Sequence, residues 1–216
     1  MTRTPQICLA SASPRRRELL TQLGVEHRVA PADIDESRRD GESPTDYVLR
    51  MAGEKAQRIA AAPERSHGLP VLGADTAVVI EGRVLGQPAD AAEAQTMLEL
   101  LSDRVHEVLS AVVLITASGS GSRLSRTEVR FRPISADEAA AYWRSGEPRG
   151  KAGGYAIQGR AAVFVASLSG SYSGVVGLPL FETAQLLETA GIAPWRDAAA
   201  DRPASAGVPV RQRGLL

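Results

Sequence analysis

Apolar and polar positions change their period several times along this chain, and each change marks an element. Gln6 to Ala10 is a short apolar run that predicts a strand. Ser13 then caps a helix that opens on Pro14, runs to Leu23 and stops at Gly24. Val25 to Ala30 predicts a second strand, and Asp33 to Gly41 an acidic loop. Ser43-Pro44 starts another helix, with Tyr47, Val48, Met51, Ala52 and Ile59 along its apolar side. Val71 to Ile80 is almost continuously apolar, as in a strand buried on both faces, and Glu81-Gly82 turns it back toward Val84 and Leu85.

The second half reads in the same way. Asp90-Ala91-Ala92-Glu93 has the spacing of a capping box and opens a helix carrying Met97, Leu98 and Leu101. Val105 to Ala117 and Arg123 to Pro133 predict a long hairpin, joined by a flexible Gly/Ser loop from Ser118 to Ser122. Ser135 to Glu138 caps a helix through Tyr142 and Trp143. A glycine-rich stretch, Gly146 to Gly159, leads to a strand around Val163 to Val165, and a last helix runs from Pro179 to Gly191. Helices and strands alternate with hairpins between them, which predicts an α/β fold with a mixed sheet. Residues 1–194 form the expected domain. From Trp195, Ala, Arg and Pro dominate without periodicity, so 195–216 is expected to be a loose tail.

Composition narrows the function. The 216 residues carry 25 basic and 25 acidic side chains, so net charge is zero and a nucleic-acid partner is not expected. No apolar run approaches a membrane span and the N-terminus lacks a signal-peptide core, so a cytoplasmic protein with no membrane partner is expected. The single cysteine, Cys8, excludes a disulfide framework. Lys55 and Lys151 are the only lysines; every other cation is arginine.

Three segments carry candidate chemistry. Arg15, Arg16 and Arg17 crowd the first turn of the first helix, where the macrodipole is already positive. An anion offsets that, and Ser11 and Ser13 ahead of the helix make a phosphate cradle. Asp75 lies inside the apolar Val71–Ile80 run, where a carboxylate must be paired, metal-bound or turned to a cleft. Gly73 and Ala74 ahead of it leave room for something bulky to approach. A divalent cation held by Asp75 and a second carboxylate suits phosphate chemistry; Asp33, Asp35 and Glu36 form the nearest acidic cluster. Finally, Lys151 opens a glycine-rich segment in which Gln158 offers a base edge both a donor and an acceptor. Walker A and dinucleotide signatures are absent, and His27, His67 and His106 show no metal spacing.

Together these segments resemble the Maf family of nucleotide pyrophosphatases, from about Ile7 to Gly191. The resemblance rests on Ala10-Ser11-Ala12-Ser13-Pro14-Arg15-Arg16, Asp33-Ile34-Asp35-Glu36, Glu54-Lys55-Ala56 and Gly73-Ala74-Asp75-Thr76. It continues through Leu85-Gly86-Gln87-Pro88, Thr127 to Phe131, Lys151 to Gly159 and Tyr172 to Leu180. It implies two lobes around a central cleft, as in inosine-triphosphate pyrophosphatases, and hydrolysis of a nucleoside triphosphate to monophosphate and pyrophosphate. A divalent metal (Mg, Mn or Co) is implied as cofactor, with Asp75 and Glu36 as its ligands. Asp75 takes the catalytic position with Lys55 beside it, and Ser11, Ser13, Arg15, Arg16 and Gln87 line the phosphate end. Arg15, Thr76 and Gln158 match the branch resembling dTTP/UTP pyrophosphatases; the 7-methyl-GTP branch typically has Glu where Gln158 stands. Uracil and thymine present carbonyls beside an N–H, which an amide matches, whereas adjacent guanine donors suit a carboxylate.

This chain departs from the family pattern with Gln87 for a usual Lys, Asp103 for a usual Gly and Gly174 for a usual Asn. The alternatives left open are a pyrophosphatase for 7-methyl-GTP or other modified nucleotides, and a weakly catalytic nucleotide-binding regulator of septum formation. The expected partner is a small nucleotide; a homodimer is left open.

Overall fold

A computed structural model describes residues 4–195. In chain order the elements are β1 (Ile7–Leu9), α1 (Pro14–Gln22), β2 (His27–Val29), α2 (Pro44–Ala60), α3 (Pro63–Ser66), β3 (Val71–Ile80) and β4 (Arg83–Leu85). There follow α4 (Ala91–Leu101), β5 (Val105–Thr116), β6 (Gly119–Phe131), α5 (Ala136–Arg144), β7 (Val165–Ser169), α6 (Tyr172–Val176) and α7 (Leu180–Thr189). Seven strands make one mixed sheet in the order β2-β1-β3-β5-β6-β7, with β4 paired to β3. The expected mixed α/β sheet is present.

β3 is the spine. It runs parallel to β1 through Val71 and Leu72, and antiparallel to β4 through Val78 to Ile80. Between those pairings, residues 73–77 have no strand partner on that edge among the described residues, while the other edge pairs continuously with β5. The result is a notch in the sheet, and Asp75 lies at its centre. On one face Ala77 and Val79 pack with Val48 and Ala52 of α2. On the other, Leu72 and Ala74 join Leu19, Leu20 and Leu187 from α1 and α7. Farther along, Val78 and Ile80 meet Leu98 and Leu101 of α4 with Phe131, Tyr142, Tyr155 and Phe164.

Several expectations change. The stretch 118–122 is not a flexible loop: β6 begins at Gly119, and Thr116 already pairs with it, because alternating small residues extend the ladder as readily as a loop would. The strand placed around Val163 begins only at Val165, after a 3-10 turn over Arg160–Phe164 that tucks Ala161 and Phe164 into the core. At Asp90 the capping box is half made. Asp90 accepts from the Glu93 amide at 2.9 Å, but the Glu93 carboxylate takes the amide of Ala89, one residue early. The box at Ser135 and Glu138 is complete. Helices α3 and α6 are short, and neither was expected. Asp103 adopts φ 57, the left-handed region that a glycine enters without a Cβ penalty, which accounts for the family's usual Gly there. Of the expected tail only Trp195 is described, against Gly24; the remainder lies outside the described residues.

Candidate active site

Gly73 and Asp75 lie two residues apart on one strand and so point to the same face, the one covered by α2. The room at Gly73 admits that helix rather than a ligand. A Cβ at 73 would fall onto the Ala52 carbonyl oxygen and within 2.8 Å of the Ala56 amide nitrogen. The close approach carries Lys55, from the turn between those residues, to the carboxylate. Lys55 Nζ donates to Asp75 Oδ1 at 2.8 Å and stands 2.7 Å from Glu36 Oε1. One ammonium therefore bridges two carboxylates from segments far apart in sequence. Lys55 and Asp75 are both buried, at 7% exposure each, while Glu36 reaches in from the rim. Burial pushes the Asp75 carboxyl above its usual range, with Lys55 and then Arg16 pulling the other way.

The loop bearing Glu36 is held from outside. Tyr47 Oη donates to the Glu36 carbonyl at 3.1 Å, and Arg50 donates to the Ser37 carbonyl at 3.0 Å while gripping Glu42. Burial and the nearby charges of Asp75 and Glu36 raise the Tyr47 phenol to about 12, so it remains a donor.

The first turn of α1 supplies the cations. Ser13 caps the helix through the Arg16 amide, at 3.5 Å. Ser11 Oγ accepts from both the Ser13 amide and Arg16 Nη1, each at 3.2 Å, which leaves its own proton to give. Arg16 Nε donates to the Gly177 carbonyl at 2.8 Å, and that carbonyl also accepts from Thr76 Oγ1 at 3.4 Å. Ser110 Oγ stands 3.0 Å from Thr76 Oγ1 and gives its one proton to the Gly174 carbonyl at 2.6 Å, so the single Thr76 proton is shared between Ser110 Oγ and the Gly177 carbonyl. Burial lowers the pKa of Arg16 and of Arg15, a cost that an incoming anion offsets.

These groups line a cleft of about 730 Å³ that opens at the β3 notch. Ser11, Ser13, Arg15, Arg16, Glu36, Lys55, Asp75, Thr76, Gln87 and Gln158 all line it, whereas Arg17, Asp33 and Asp35, also singled out in the sequence, do not. Gln87 and Lys151 line the same cleft, and the charge of Arg15 reaches Lys151. Gln158 is exposed, and its amide makes no hydrogen bond among the described residues. Lys151 Nζ donates to the Arg149 carbonyl, and burial, then the charge of Arg15, lowers its pKa. Sequence reasoning missed the Gly177 carbonyl, Ser110 and Tyr47, because their signal is contact between segments rather than a local pattern. Tyr155, also on the cleft wall, hydrogen-bonds His106 at 2.8 Å. His106 is therefore structural, buried against Phe131, and burial holds its imidazole down to about 4.

The donor set fits a divalent cation. Glu36 and Asp75 are hard oxygen donors that both reach the Lys55 ammonium, and an ion such as Mg²⁺ held by them would take the rest of its ligands from waters and phosphate oxygens. Among the described residues no larger cluster of His, Cys, Asp and Glu offers an alternative, and no helix is long and apolar enough to cross a membrane.

Fold and cleft together define an α/β protein with an arginine-bearing helix start beside a buried carboxylate. The chain belongs to the Maf family: a family model described as Maf-like protein matches residues 6–190. A dTTP/UTP pyrophosphatase of Bordetella avium is 52% identical over 199 residues, covering 89% of this chain and 99% of its own. Another of that name, from Saccharophagus degradans, is 53% identical over 194 residues, covering 88% of this chain and 91% of its own. Among solved structures, the Ham1 protein of Staphylococcus aureus aligns with 57% of this chain and 70% of its own at 14% identity and a TM-score of 0.40, too partial a likeness to place any residue.

Proposed function

We propose that this protein hydrolyses dTTP and UTP to the monophosphate and pyrophosphate. The observation that carries the reading is the Asp75–Lys55–Glu36 bridge beside the arginine-bearing first turn of α1. Relatives about half identical over nearly their whole length bear the name of that activity.

The triphosphate lies across the first turn of α1, met by Arg15, Arg16 and the Ser11 hydroxyl. Asp75, its basicity raised by burial, takes a proton from water as the water oxygen bonds to the α-phosphorus. The bond from that phosphorus to the bridging oxygen breaks, and pyrophosphate leaves with the electron pair. Lys55 holds Asp75 in orientation and, with Arg16, neutralises charge that develops in the transition state. A divalent ion on Asp75 and Glu36, when bound, supplies Lewis-acid polarisation of the phosphate. Gln87 gives no positive charge at the position of the family's usual Lys; Arg15 and Lys151, close enough for the first to depress the second, take that task. Gln158 reads the carbonyl and N–H of uracil or thymine.

Purified protein supplied with Mg²⁺ or Mn²⁺ and a panel of nucleoside triphosphates tests the reading. Pyrophosphate release is expected with dTTP and UTP well ahead of GTP and 7-methyl-GTP. Tight nucleotide binding without product would overturn it.

A further inference from the structure

Gln158 lies on a segment that no sheet or long helix carries. The segment from Gly146 to Phe164 contains only short 3-10 turns, so the sheet ladder does not fix its course. A hydrogen-bonded pair at the end of α5 does. Tyr142 Oη donates to Glu147 Oε1 at 2.7 Å and accepts from the amide of Ala156 at 3.0 Å. Glu147 accepts from the amides of Arg160 at 3.1 Å and Ala161 at 3.4 Å. These bonds grip the chain two residues before Gln158 and two and three residues after it. The fit also depends on Gly159, where any Cβ would run into the Glu147 carboxylate. Burial alone would raise the Glu147 pKa, but the two amides and the phenol hold it below its ordinary value, so it stays an anionic acceptor.

We infer that Glu147 and Tyr142 are positioning residues for nucleobase selection, acting through Gln158 rather than on the reacting phosphate. The inference rests on the reading of Gln158 as the base-facing amide. Glu147 stands clear of the cleft lining, so its effect on substrate is indirect. Its carboxylate bonds to backbone amides, and no local motif would reveal that a residue eleven positions earlier aims the glutamine.

The test compares kcat/KM for UTP and GTP in the whole protein carrying Glu147→Gln, Gln158→Ala or both. Glu147→Gln keeps the shape but weakens the acceptor. It should lower the UTP:GTP ratio about tenfold, by raising KM for UTP with kcat largely kept. Gln158→Ala should lower the ratio at least as far, and the double variant no further than Gln158→Ala alone. If Glu147→Gln fails to fold, Tyr142→Phe removes the phenol from the same clamp and carries the same comparison. An unmoved ratio in Glu147→Gln, or a double variant whose loss is the product of the two single losses, would overturn the positioning role. An unmoved ratio in Gln158→Ala would instead remove the base-facing reading, and the inference with it.

Discussion

The two ends of the cleft are built on different principles. At the end proposed for the phosphates, formal charges stand on regular elements: Asp75 on β3, Lys55 on α2, Arg15 and Arg16 on α1. At the end proposed for the base, Gln158 rides on a glycine-rich segment without strand or long helix, held by the hydrogen bonds of Tyr142 and Glu147. The first arrangement puts catalytic charge where backbone geometry is least negotiable. The second leaves recognition on a segment whose course is set by a few side chains, so it is the easier of the two to retune.

The largest effect separating them should come from Asp75→Asn. It keeps the side chain's shape, so circular dichroism and the melting curve should remain close to those of the parent. Pyrophosphate release should fall at least about a thousandfold, as expected for loss of a general base. Undiminished turnover would take Asp75 out of the mechanism and leave the contrast between the two ends without its strongest member.

Next in size is a pH effect lodged behind the base end. Folded His106 binds its proton only near pH 4, whereas the unfolded chain binds it at the ordinary 6.5. The contribution is therefore fully present above pH 6.5 and is lost as pH falls toward 4, by about 3 kcal/mol for a shift of this size. Urea unfolding of the parent and His106→Phe across pH 7 to 4 measures it as the difference between the two slopes. Equal slopes would mean the imidazole is not held neutral by burial.

Gly73→Ala probes the phosphate end through packing. The new methyl group meets backbone of α2, which should cost about 1–3 kcal/mol of stability. It should also lower activity by moving Lys55 from Asp75, while the UTP:GTP ratio holds. A variant as stable and active as the parent would show that α2 does not need that approach. Smallest is Gln158→Glu, expected to shift preference from UTP toward GTP by about tenfold with the fold undisturbed. No shift would mean that the base end chooses by something other than this amide.

How much was legible in the sequence follows the same division. The β3 strand appeared residue for residue, because an apolar run with no polar alternation has few other readings. The caps at Ser13, Ser43 and Ser135 marked helix starts, because capping chemistry lies within four residues. The site residues assigned by resemblance all line the cleft, since each belongs to a short motif. The Glu147 clamp was invisible: it joins a helix end to amides on both sides of Gln158, with nothing periodic between. The room at Gly73 was seen but its occupant, α2, was not named, because a glycine in a strand announces close approach without saying of what.

The notch in β3 has one more consequence. An open strand edge is ordinarily a template on which another polypeptide can add itself, and proteins guard against it. Here β1 closes one end of the opening and β4 the other, leaving a gap of five residues, about 16 Å long. A foreign strand approaching it would collide with the flanks before it could zip along. The protein thus keeps a stretch of sheet edge open to its cleft without offering a seed for aggregation.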